Sequence, residues 1–296
     1  MESGKTKPFA PSESCLPDLL RPWTGRPWAR CRVVTVMRYI RAFSRIVIGV
    51  ALGLTLMEPS MALAADPILP LPPEDQKTIV KQLGADVVGE ALPSKPIEDP
   101  GKLFSFDHKP VTYRFTSGKN KGKSQTLVPT KVERPGGKFV WRVQLAPTLI
   151  GFLRQMPEGD IVMPAVEDTG AEALVVTTPA NLFVIKGMNP GETRTSSQQI
   201  SVRYLDDIND EEWSGTLRTY YTYVGTYRLN VPAGTFDAIL LRTKVDGKVG
   251  PARTRAASYS FFAPGPGLVA MILQQNVTAF WIYNIDGAGG KVLTSR

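Results

Sequence analysis

The chain reads as a mostly β protein, an antiparallel open barrel or β-clam with one N-terminal helix. Three observations predict this. Short stretches of alternating polarity recur from residue 101 to 290, and Gly, Pro, Asn and Asp clusters separate them at close intervals. No glycine-rich strand-to-helix turn marks a βαβ unit, so a doubly wound sheet is not expected.

Taken in order, residues 1–36 hold Cys15, Cys31, two tryptophans and several prolines without apolar periodicity. They read as a leader ahead of a start at Met37. Residues 37–64 read as a signal peptide: Arg38, Arg41 and Arg45 precede an apolar run from Ile46 to Met57, and Ala62-Leu63-Ala64 places small residues where signal peptidase needs them. The run is 12 residues long, whereas a span of about 30 Å takes about 20 helical residues. No Arg-Arg pair and no cysteine beside the cleavage site suggest another export route. The expected location is the periplasm, after cleavage near Ala64.

The 232 residues that follow, of 296 in all, suffice for one domain with a sizeable core. Of 35 Lys/Arg and 27 Asp/Glu, nine and four lie in the first 64 residues, which leaves 26 and 23. A net charge near +3 gives no ground for nucleic-acid binding. Both cysteines precede the cleavage site, so no disulfide is expected in the exported part.

Residues 65–100 form a proline-rich lead containing a predicted helix over 74–92. Glu74 and Asp75 suit the positive end of a helix dipole, and Ile79, Leu83 and Val87 recur every four residues. Gly84 and Gly89 weaken that pattern. Residues 101–290 form the β domain, with strands expected at 111–116, 139–145, around 200–204, over 217–231 with a break or bend near Gly225, at 239–243, 259–262 and 277–285. Turns are expected at Gly118-Lys119-Asn120, Pro135-Gly136-Gly137, Asn189-Pro190-Gly191 and Asp246-Gly247. Residues 291–296 read as a tail.

Val231-Pro232-Ala233-Gly234-Thr235-Phe236 and Phe262-Ala263-Pro264-Gly265-Pro266-Gly267-Leu268-Val269 both read as strand connections, where proline stops ladder bonding and glycine accepts positive φ. This pair resembles the V-P-A-G-x-F and A-P-G-x-G-L-V motifs of an uncharacterised class of bacterial envelope proteins. That class is itself similar to the open barrels, or β-clams, of periplasmic lipoprotein carriers. Met188 to Glu192 is similar to the turn that precedes those strands, and Pro266 departs from the pattern, standing where the class more often has an aliphatic residue. The resemblance covers residues 185–272 and implies a fold, with almost nothing about activity.

For catalysis the residues offer no motif. His108, the only histidine, sits among Asp107, Lys109 and Pro110 and reads as a surface turn. One histidine and no exported cysteine leave too few ligands for zinc. Asp206, Asp207, Asp210, Glu211 and Glu212 lack the spacing of a calcium loop and read as a solvated hairpin. Lys119, Lys121 and Lys123 read as a charged turn or a protected edge. No cofactor is expected. The aromatics are more suggestive: Tyr221 and Tyr223 share one strand face with Tyr220 opposite, and Trp281 and Tyr283 share a face of a later strand. Core pairing accounts for such residues most simply. The functional alternative is a concave sheet that takes a hydrophobic or lipid-like ligand against Tyr221, Tyr223, Trp281 and Tyr283, with the helix as its cover. An envelope interaction module using a sheet edge, and a carboxylate-based hydrolase, are the other readings.

Overall fold

The protein is described by a computed structural model over residues 65–104, 106–134, 138–279 and 283–296. The leader, the signal segment, Trp281 and the Pro135-Gly136-Gly137 turn lie outside the described residues. Within residues 65–296, which cluster as one unit, α1 (Pro73–Leu83) is followed by β1 (Val88–Leu92) and a single helical turn, α2 (Pro100–Leu103). Short strands come next: β2 (Val111–Phe115), β3 (Ser124–Leu127), β4 (Thr130–Arg134), β5 (Lys138–Gln144), β6 (Leu149–Gln155) and β7 (Ile161–Asp168). Longer ones complete the fold: β8 (Ala173–Val184), β9 (Thr193–Tyr204), β10 (Glu211–Val231), β11 (Gly234–Val249), β12 (Ala252–Ala263), β13 (Gly267–Ala279) and β14 (Tyr283–Ser295).

Among the described residues, one antiparallel sheet contains every strand. Each of β4 to β13 pairs with its successor, and β14 returns to pair with β2, which carries β3. The sheet is therefore mostly β, antiparallel and unclosed, as an open barrel or β-clam requires. Its open seam lies between β3 and β4, consecutive strands joined only by Val128 and Pro129. The long strand β10 changes partner along its length. Its first half pairs with β9, a register shift falls between Tyr223 and Gly225, and its second half pairs with β1.

The expected connections at 232–234 and 263–267 are present. Val231 pairs with Gly234 across a two-residue hairpin, and Ala263 pairs with Gly267. In the second bend Gly265 holds φ at +90°, a conformation that strains any residue with a Cβ.

Four expectations need correcting. The helix ends at Leu83 rather than at 92, because Gly84 leaves the helix at φ +116° and Val88–Leu92 is drawn off to pair with β10. Asp246-Gly247 is no turn; it lies inside β11. Gly247 is there because the Thr216 carbonyl of β10 comes too close for a Cβ. Residues 277–279 and 283–285 belong to two paired strands rather than one, with Ala279 opposite Tyr283. Residues 291–296 are no tail, since β14 runs to Ser295 with Lys291, Val292 and Leu293 buried.

Strand alternation gives the long strands two distinct faces. Tyr221, Tyr223, Phe262, Lys291 and Leu293 point inward toward β5–β8, and Arg242, Tyr259, Ile272 and Gly290 point to the outer side, where α1 packs. Ile79 and Leu83, one helical turn apart, bury the apolar stripe of α1. Polar contacts fix both of its ends. Asp75, 2% exposed, accepts from Arg242 Nη1 at 2.5 Å and from the Tyr259 hydroxyl at 3.1 Å. At the other end the Gln82 carbonyl accepts from Thr116 Oγ1, and its side-chain oxygen from Ser117 Oγ, both at 2.6 Å. The helix thus crosses the outer sheet face from β11 and β12 to β14 and β2.

Candidate functional site

The inner face is packed. Tyr221 and Tyr223 share it, as their spacing predicts, and are 4% and 0% exposed. The Tyr221 hydroxyl donates to Asn181 Oδ1 at 2.7 Å and accepts from the Leu182 N–H at 3.3 Å. The Tyr223 hydroxyl donates to the Lys95 carbonyl at 3.1 Å. Burial raises the pKa of both phenols. A ligand reaches either ring only if the interior opens. Tyr283 begins β14 opposite Ala279, and Trp281 lies outside the described residues.

Sequence reasoning missed an aromatic cluster deeper in the molecule. Phe104 meets Phe106, Phe183 and Phe262 edge-on at centroid separations of 5.1, 5.5 and 6.5 Å, and Phe106 stacks on Trp141 at 5.5 Å. Phe104 and Phe106 stand outside any alternating strand, so no periodic signal announced them. His108 is exposed, as expected, with its ring 5.0 Å from Trp141 and Nδ1 3.1 Å from the Pro129 carbonyl at the seam.

A small, partly open void of about 40 Å³ is bordered by Tyr113, Leu127, Val143, Leu145, Leu268 and Lys291, with Asp107 and Arg296 also on its lining. Lys291 is 3% exposed. Its ammonium donates to the Leu145 carbonyl at 2.5 Å and lies 4.6 Å from the centroid of the Tyr113 ring. Among the described residues no carboxylate pairs with it, and burial lowers its pKa to about 7. The Tyr113 hydroxyl donates to the Leu268 carbonyl at 2.8 Å, and burial pushes its pKa up. The void has room for a few waters and no amphiphile.

Open space lies instead on the outer face, next to α1. Cross-strand register arranges that face in rows. The row under α1 is Arg242, Tyr259, Ile272 and Gly290; the next is Tyr220, Lys244, Ala257, Gln274 and Ala288; then come Arg218, Asp246, Arg255 and Asn276. The second and third rows border a groove of about 660 Å³, where Ala257 and Ala288 are the small side chains, Lys244, Gln274, Asp246, Arg255 and Asn276 the polar ones, and the backbone around Val245, Ala256 and Gly287 lies between the rows. Tyr220, 37% exposed, stands at one side. It belongs to the same tyrosine-rich strand as Tyr221 and Tyr223, and the alternation that buries them turns it outward.

The charged segments are ordinary. The acidic residues from Asp206 to Glu212 lie in and beside the β9–β10 hairpin, where Asp207 accepts from the Asn209 N–H at 3.0 Å. Ser201 donates to Glu211 at 2.6 Å, and hydrogen bonds from Ser201 and Ser214 hold that carboxyl below its usual range. Among the described residues no three His, Cys, Asp or Glu side chains gather to hold a cation. Lys119, Lys121 and Lys123 belong to the β2–β3 hairpin.

No protein-family model and no curated protein matches this chain. Similar solved structures include a presumed exported protein with a YMCC-like fold from Bacteroides fragilis NCTC 9343, 14% identical, with a TM-score of 0.34 over 68% of this chain and 98% of that one. Another is a presumed lipoprotein from Parabacteroides distasonis ATCC 8503, 15% identical, with a TM-score of 0.30 over 65% of this chain and 98% of that one. Scores this low establish no common fold.

Proposed function

We propose that this is an exported, periplasmic protein that binds an amphiphile without catalysis, and that the outer groove beside α1 receives the apolar part of the ligand. The signal-like segment at 37–64 and the resemblance to envelope β-clams support the location. One observation carries the binding reading: a groove of about 660 Å³, with Ala257 and Ala288 as its small outward-facing residues beside Tyr220, lies open on a sheet whose inner face is already filled. That volume falls within the usual range for small-ligand sites, about 300–1,000 Å³.

The reading is tested with the protein purified from the periplasm and an uncharged apolar naphthylamine dye. Saturable fluorescence gain is expected, together with its loss in Ala257→Trp and in Ala288→Trp, which fill the floor from two different strands. A dye that finds no site, or one indifferent to both substitutions, would overturn the groove as the binding surface.

A further inference from the structure

The outer face carries more positive charge than the near-neutral exported chain would suggest. Beyond the groove, the fourth row of the register places Lys248 directly opposite Arg253. Like charges facing each other across a ladder destabilise a sheet. One row closer, Arg218 and Arg255 flank Asp246. Its carboxylate is shared, 3.4 Å from Arg253 and 3.7 Å from Arg255. Lys244 stands between Tyr220 and Ala257, neither of which can neutralise it. Beyond the row under α1, where Arg242 is paired with Asp75, five cations (Arg218, Lys244, Lys248, Arg253 and Arg255) therefore stand with Asp246 in these rows of β10–β12, and Asp286 holds the neighbouring register position opposite Asn276.

The groove consequently has two unlike ends. Near α1 its small outward residues are Ala257 and Ala288, beside Tyr220 and with Lys244 and Gln274 in the same row; away from α1 it opens onto Arg255 and then the Lys248–Arg253 pair. From this polarity we infer that the amphiphile is an anionic phospholipid, its acyl part along the Ala257–Ala288 row and its phosphate headgroup against Arg255, Lys248 and Arg253. A phosphate placed there supplies the negative charge that the ladder lacks, and it accepts charge-assisted hydrogen bonds from guanidinium groups set for that geometry. The inference deepens the proposed function and rests on it.

The test compares dihexanoyl phosphatidylglycerol with dihexanoyl phosphatidylcholine, both as monomers, and with inorganic phosphate, each displacing the naphthylamine dye. Charge-assisted hydrogen bonds to the net-negative headgroup should make the anionic lipid bind about tenfold more tightly than the zwitterionic one. The preference should vanish in Lys248→Gln/Arg253→Gln while phosphatidylcholine affinity stays unchanged. Both positions are exposed, and circular dichroism checks the fold. Raising the salt should also erase the preference in the unaltered protein, a readout that needs no variant. Equal affinity for the two lipids overturns the headgroup assignment and leaves the groove reading standing. Displacement by inorganic phosphate at the same concentrations overturns it in favour of a free-anion site. Failure of both lipids to displace the dye removes the lipid altogether.

Discussion

Two buried charges lie on opposite faces of the same sheet, and the fold treats them differently. Asp75, on α1, meets Arg242 and the Tyr259 hydroxyl, so helix and outer face are joined by a paired charge. Lys291, on the inner face of β14, has a carbonyl oxygen and a tyrosine ring for company, and its environment favours the neutral amine. The first arrangement fixes one element to another. The second places an ionisable group where an apolar one would serve stability better, since burying a charge without a counter-charge costs more than the contacts return.

The largest effect expected from this contrast is at Asp75. Asp75→Ala leaves Arg242 without its carboxylate and should lower stability in urea unfolding by about 3 kcal/mol; a change below a few tenths would mean that the pair does not hold the helix. Lys291→Met keeps the side-chain volume and removes the buried amine. It should raise stability at neutral pH by about 1–3 kcal/mol, after allowance for the donor lost to the Leu145 carbonyl.

The pH dependence sharpens the same point. Unfolded, Lys291 keeps its proton up to about 10.5, but folded only to about 7. Between those values the unfolded state binds more protons, so stability should rise with pH by at most about 1.4 kcal/mol per unit from this residue. Below about pH 7 both states are protonated and the contribution is flat. Above pH 10 the buried tyrosines, including Tyr113 and Tyr227, hold their protons longer when folded than unfolded, which reverses the slope. Urea titrations from pH 7 to 9.5 should show the rise in the unaltered protein and lose it in Lys291→Met. The smallest effect is expected at Tyr259→Phe, which removes one hydrogen bond to Asp75 and should cost about 1 kcal/mol. A double-mutant cycle with Asp75→Ala should show coupling between the two positions.

The parts of the fold legible in the sequence are those where one strand face is wetter than the other. Strands β9 to β12 show it, with turn residues at Pro232, Gly234 and Ala263–Gly267 to bound them. Strand β6 does not: four successive residues from Ile150 to Leu153 are buried, because Ile150 and Phe152 join a second small core with Val140 and Ala165 while Leu153 faces the main one. Alternation disappears when both faces are covered. The end of α1 was misjudged because Val87 and Val88 continue a four-residue spacing that a strand pairing then overrides. At the candidate site, alternation correctly divided Tyr220 from Tyr221 and Tyr223. Which face was open depends on packing by β5–β8 and α1, and no local pattern encodes that. Lys291 was illegible for the same reason, as a single lysine in the last strand carries no sign of its surroundings.

The strand at Val111–Phe115 pairs with β3 on one side but finds its other neighbour only in residues 291–295, and α1 rests on strands that are among the last to be synthesised. The helix and one side of β2 therefore have no platform until the far end of the polypeptide is available. Such distant pairings make for slow folding. A chain built this way seats its helix and closes the order of its strands only once its final strands have formed.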